Sequence, residues 1–141
     1  MKLPNETRIF YMGGDGPHYS PAWPNPLHRN SSFGLATLRP DGFVALGPAP
    51  HAVAAGGSGS AETIPLLVTG PKIFITADTA VARGSVAVQV KGVGECTAVS
   101  GRNVTGEFLA GCDLTAHVGK NVTLVLSVSP GAALYTFGFH A

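Results

Sequence analysis

Charge is scarce in this chain. Nine of its 141 residues are Lys or Arg and eight are Asp or Glu, 12% in all, about half the share of an ordinary soluble domain. The net charge of +1 provides no basic face for a phosphate backbone or an anionic membrane, so nucleic acid is not an expected partner. No apolar run approaches the roughly 18 residues of a membrane-spanning helix. No stretch keeps a helical apolar period for three turns, which excludes long amphipathic helices. An apolar leader is missing as well: Met1 to Arg8 turns polar where the core of a signal peptide would stand. Two cysteines and five histidines, none at ligand spacing from another, do not compose a zinc site, so no metal or cofactor is expected.

Catalytic signatures are equally thin. The eight carboxylates are Glu6, Asp15, Asp41, Glu62, Asp78, Glu95, Glu107 and Asp113. Hydrolysis of a glycosidic bond needs two of them held roughly 5 to 10 Å apart. Asp15 and Asp41 are the only pair worth naming, yet Asp15 sits between glycines and Asp41-Gly42 reads as a hairpin turn. No serine occupies a nucleophile elbow, and neither Gly-rich stretch precedes a helix carrying Lys-Ser/Thr. The expectation is a protein that is not an enzyme.

What is present is period-two alternation. Asn121 to Ser129 is the clearest strand, with Val122, Leu124, Leu126 and Val128 directed to one side. Lys72 to Ala77, Ser85 to Val90 and Leu134 to Phe139 are similar. Thr7 to Met12, Phe33 to Leu38, Phe43 to Leu46, Thr63 to Val68, Glu95 to Val99 and Val104 to Leu109 are weaker candidates. Gly, Pro, Asp or Asn separates most of them. Eight to ten short strands predict an all-β fold, an antiparallel sandwich of jelly-roll type. One helical turn is expected near Leu114 to Val118, between Asp113 and Gly119. Gly13 to Arg29, with Pro17, Pro21, Pro24 and Pro26, reads as an extended crossing. Gly47 to Ala61, rich in Gly, Ala and Ser, reads as a loop with little fixed structure. The expected division is residues 1–31, strand and tether, and residues 32–141, sandwich.

Four of the five asparagines, Asn5, Asn30, Asn103 and Asn121, open an Asn-x-Ser/Thr sequon, while Asn25 is followed by Pro26. Ser and Thr number 20 of 141, so chance would supply fewer than one sequon among five asparagines. Either this is coincidence in a Thr-rich β protein or the chain carries N-glycans and is secreted, extracellular or at a cell surface. The sequons conflict with the missing leader; a mature or excised piece reconciles them. Cys96 and Cys112 are either two buried thiols or a disulfide closing a loop of about 16 residues, stabilising by about 3 kcal/mol.

Tyr11-Met-Gly-Gly-Asp-Gly-Pro-His18, followed by Gly34-Leu-Ala-Thr-Leu-Arg-Pro-Asp-Gly-Phe43, resembles the last propeller blade and the start of the C-terminal sandwich of five-bladed β-propeller glycosidase-like proteins, which are related to invertase-type glycoside hydrolases. Gly84 to Val88, Asp113-Leu114 with Gly119, Val122 to Leu126, and Leu134 to Phe137 follow in the order of that sandwich. The resemblance spans nearly the whole chain, and its most specific part is the block from Gly34 to Phe43. It implies a sandwich without the propeller, whose catalytic carboxylates have no counterparts here.

Two functions remain in view. In the first, Thr7, Arg8, Ile9, Phe10, Tyr11 and Met12 form a strand orphaned from its propeller neighbours. Its unpaired N–H and C=O groups find partners in a second copy, giving a homo-oligomer or filament built by a structural, self-assembling subunit. In the second, the chain is an accessory module of a glycosidase-like protein that braces the propeller or binds carbohydrate, with Tyr19 and Trp23 as candidate sugar-stacking rings beside Tyr11.

Overall fold

A computed structural model of the chain describes residues 1, 3, 6–14, 31–39, 42–80 and 84–141. The fold is all-β. It divides into two compact units, Met1–Gly42 and Phe43–Ala141.

The first unit is a β-hairpin. β1 (Thr7–Gly14) and β2 (Ser31–Leu38) pair antiparallel without a register break from Thr7 opposite Leu38 to Gly14 opposite Ser31. The N-terminus folds beside it: the Met1 ammonium donates to the Arg8 carbonyl at 2.7 Å, and Arg8 meets the Glu6 carboxylate. This corrects the expectation of a lone leading strand. One edge of Thr7 to Met12 is satisfied along its whole length by residues that the sequence had assigned to the sandwich, and the compact units part after Gly42 rather than after residue 31. Of the crossing expected over Gly13 to Arg29, Gly13 and Gly14 belong to β1; the remainder, with Asp15, Tyr19 and Trp23, lies outside the described residues, as do Asn5, Asn30 and Asp41.

The second unit begins with α1 (Pro50–Ala54), a single helical turn, and continues with β3 (Gly59–Glu62), β4 (Leu66–Leu67), β5 (Lys72–Asp78), β6 (Ser85–Val90), β7 (Gly94–Glu95), β8 (Val99–Ser100) and β9 (Asn103–Phe108). A 3₁₀ turn at Thr115–His117 precedes β10 (Asn121–Val122), β11 (Leu124–Val128) and β12 (Ala133–His140). One sheet runs β3-β11-β6-β7, with β8 also on β6. A second runs β12-β5-β9, and β10 pairs with β4. Every named pairing is antiparallel.

Alternation sets which faces are buried. Ile73, Ile75 and Ala77 of β5, Val86, Val88 and Val90 of β6, and Leu124, Leu126 and Val128 of β11 are all at most 3% exposed. They join Leu114 and Leu134 in one hydrophobic cluster, so the two larger sheets bury their apolar faces in a common core. Burying a branched aliphatic side chain of this size stabilises by about 1.5–3 kcal/mol.

Local chemistry shapes the strands. Between Ile75 opposite Glu107 and Ala77 opposite Val104, one residue of β5 faces two of β9. Gly106 accepts the extra residue with φ at +61°, and its N–H donates to the buried Thr76 hydroxyl at 3.0 Å. The bulge therefore leaves neither group unpaired. The Thr79 hydroxyl likewise donates to the Arg102 carbonyl and accepts from its N–H. Ahead of the 3₁₀ turn, one Asp113 carboxylate oxygen accepts from both the N–H and the hydroxyl of Thr115, at 2.8 and 2.6 Å. Gly119, at φ +81°, ends the turn.

Three further expectations need correction. The segment Gly47 to Ala61 is ordered into α1 and β3, and β3 pairs with β11 from Gly59 opposite Val128 to Glu62 opposite Val125. The strand expected over Asn121 to Ser129 breaks at Thr123, where it passes from pairing with β4 to pairing with β6 and β3. Phe43 to Leu46 contributes a single bridge, Leu46 opposite Leu134, instead of a strand.

Candidate functional site

Direct opposition across an antiparallel pair puts two side chains on the same face. In the hairpin this places Ile9 with Ala36 and Tyr11 with Gly34 on one face, and Phe10 with Leu35 and Met12 with Phe33 on the other. The Tyr11 ring lies across Gly34: a Cβ built there would stand 2.3 Å from the ring. An aromatic side chain covering a cross-strand glycine is a recognised device for holding register. The opposite face is open. Phe10, Met12, Phe33 and Leu35 are 65%, 65%, 87% and 51% exposed, four adjacent apolar side chains on one side of a two-stranded ribbon. Ile9 and Tyr11 on the first face are also exposed.

A ribbon apolar on both faces differs from a strand at a solvated sheet surface, where one face is polar. Strands with this pattern lie between two layers. A two-stranded hairpin is also marginal by itself in water, whereas three or more strands, or a packed partner, give independent stability. The six strand residues Thr7 to Met12 thus lie together on one element with Phe33 and Leu35, which residue-by-residue reading of β1 alone did not join to them. The register was the missing information.

In the second unit, Asn103 and Asn121 are exposed at the starts of β9 and β10, positions open to a bulky modification. Cys96 and Cys112 have their Sγ atoms 1.98 Å apart and their Cα atoms 4.8 Å apart, within the range of a disulfide. Several of the described carboxylates have local partners. Glu62 pairs with Lys91 at 2.6 Å, Glu107 receives both terminal nitrogens of Arg102, and Asp78 accepts from the Ala80 N–H. Hydrogen bonding to Arg102 holds the Glu107 carboxyl below its ordinary value of 4.5, and Glu107 raises Arg102 in return. Hydrogen bonds from Thr115 lower the Asp113 carboxyl. Among the described residues no three His, Cys, Asp or Glu gather as metal ligands, and no helix is long and apolar enough to cross a membrane.

No family model matches the chain, no curated protein is similar to it, and no solved structure matches it.

Proposed function

We propose that this chain is a non-catalytic accessory β module that completes a larger β structure. Its hairpin supplies the last strands of a blade in a β-propeller body, and its second unit, a sandwich-like domain, braces that body. The observation that carries the reading is the open face formed by Phe10, Met12, Phe33 and Leu35. A propeller blade is stacked between two others, and its strands accordingly need apolar side chains on both faces. The resemblance of Tyr11 to His18 and of Gly34 to Phe43 to the end of a glycosidase-like propeller supports the same assignment.

The test is binding of the chain to the five-bladed propeller of a glycosidase-like protein from which the final hairpin has been deleted, followed by sedimentation velocity. The expected result is a one-to-one complex that Phe10→Ser with Phe33→Ser weakens at least about tenfold. No complex with such a propeller, with the chain monomeric at every concentration, would remove the reading.

A second reading, a structural self-assembling subunit, uses the same face differently. Two copies laid patch on patch, or each adding its open hairpin edge to the next, bury these side chains without a propeller. Sedimentation of the chain alone separates the two: concentration-dependent oligomers or filaments, dispersed by the same double substitution, favour self-assembly. In either case the module is proposed to be extracellular or at a cell surface, with N-glycans on Asn103 and Asn121. Expression through a secretory pathway and treatment with a glycan-releasing amidase should lower the intact mass. Asn103→Gln and Asn121→Gln should each remove one glycan, and an unchanged mass would contradict the assignment.

A further inference from the structure

A cleft of about 600 Å³ opens where the start of β5 meets the segment that leaves β9. Its volume falls in the range of small-ligand sites. Three groups in its lining keep a surface or an atom open to the cleft. The Phe108 side chain is 46% exposed. The Lys72 ammonium stands 5.6 Å from the centre of that ring, and no carboxylate pairs with it among the described residues. Asp113 spends one oxygen on both Thr115 donors, leaving its second oxygen without a donor among the described residues.

The walls are held in place. The His140 ring meets Phe108 edge-on, with centroids 5.3 Å apart. The bond between Cys96 and Cys112 ties the lining to the loop after β7. Gly111 turns at φ +84° against Thr97, whose N–H donates to the Ala110 carbonyl at 2.7 Å. The Thr115 bonds fix the Asp113 carboxylate.

The charges are one positive and one negative, so the cleft does not select a simple anion or cation. It offers an apolar ring, a donor and an acceptor. A ligand with a C–H-rich face and hydroxyls around its rim matches all three: its face covers the ring, one hydroxyl donates to a carboxylate oxygen, and another accepts from an ammonium. We propose that this cleft binds a neutral pyranose, with Phe108 as the stacking wall, Lys72 as donor and the second oxygen of Asp113 as acceptor. The inference stands apart from the hairpin reading, and its failure leaves that reading untouched.

The test is amide NMR titration of the full chain with the methyl glycosides of glucose, galactose and mannose, and separately with free leucine. The expected result is saturable shifts with at least one glycoside, centred on Lys72, Phe108, Gly111, Asp113 and Thr115, and no comparable shifts with leucine. Phe108→Ala should weaken that binding about tenfold while amide signals remote from the cleft stay where they are. Asp113→Asn, which keeps the acceptor for Thr115 and replaces the free oxygen by a donor, should weaken it as well and serves if Phe108→Ala does not fold. Absence of shifts with all three glycosides, equal shifts with leucine, or glycoside binding unaltered in both variants would overturn the proposal.

Discussion

Gly70 shows how one residue can be required by something distant in sequence. The chain end passes over it, and a Cβ at Gly70 would lie 2.2 Å from the carbonyl carbon and oxygen of His140. Backbone cannot swing aside as a side-chain tip can, so Gly70→Ala should cost about 1–3 kcal/mol and lower the melting temperature by several degrees. A melt indistinguishable from the parent would contradict this packing. Glu107 offers a titration readout at the same scale. Its folded carboxyl lies below its ordinary value, so the Arg102 pair contributes above the ordinary carboxylate range and is lost as pH falls through the lowered folded value. Arg102→Met should move the Glu107 midpoint upward, towards 4.5, as followed by side-chain carboxyl NMR. An unmoved midpoint would show that the pair does not set it. At this scale the inward residues of β6 and β11 were readable from alternation alone, since every second residue is aliphatic. The needs for Gly70 and for Gly106 were not, because each depends on an atom at least 30 residues away, His140 for one and the Thr76 hydroxyl for the other.

Elements were legible where their own side chains do the sorting. β5, β6 and β11 have several buried aliphatic residues on one face, while β9 and β12 bury Val104 and Leu134. β3 escaped notice because Gly59-Ser-Ala-Glu62 has no large apolar residue. It exists because β11 offers an edge, and it belongs to its partner more than to its own sequence. The break at Thr123 was hidden for a related reason: alternation runs straight through it while the pairing changes. The 16-residue separation of Cys96 and Cys112 spans β8 and β9. Reduction, or replacement of both cysteines by Ala, should therefore destabilise the chain by about 3 kcal/mol, read as a lower denaturation midpoint in urea. Coincident curves for the oxidised and reduced protein would show that the bridge constrains nothing. The short connection also fixes one wall of the cleft, so the amides of Gly111 and Asp113 should broaden or shift on reduction.

At the level of the whole molecule, the two units contrast in how well they are finished. Phe43–Ala141 buries aliphatic faces from two sheets in one core. The hairpin in Met1–Gly42 has full cross-strand pairing but presents Phe10, Met12, Phe33 and Leu35 to solvent. The sequence made β1 visible as a strand. It did not reveal that β2 is its partner, because a segment of sixteen residues, 15–30, separates them and alternation carries no pairing information. On the proposed function, this hairpin is an unfinished sheet whose stability comes from outside the chain. Native-state amide hydrogen exchange on the dilute monomer checks this. The expected result is exchange of the paired amides in Thr7–Gly14 and Ser31–Leu38 at least about a hundredfold faster than those of Lys72–Asp78, with protection gained on binding a propeller or a second copy. Hairpin amides as slow as those of Lys72–Asp78 in the isolated monomer would contradict it.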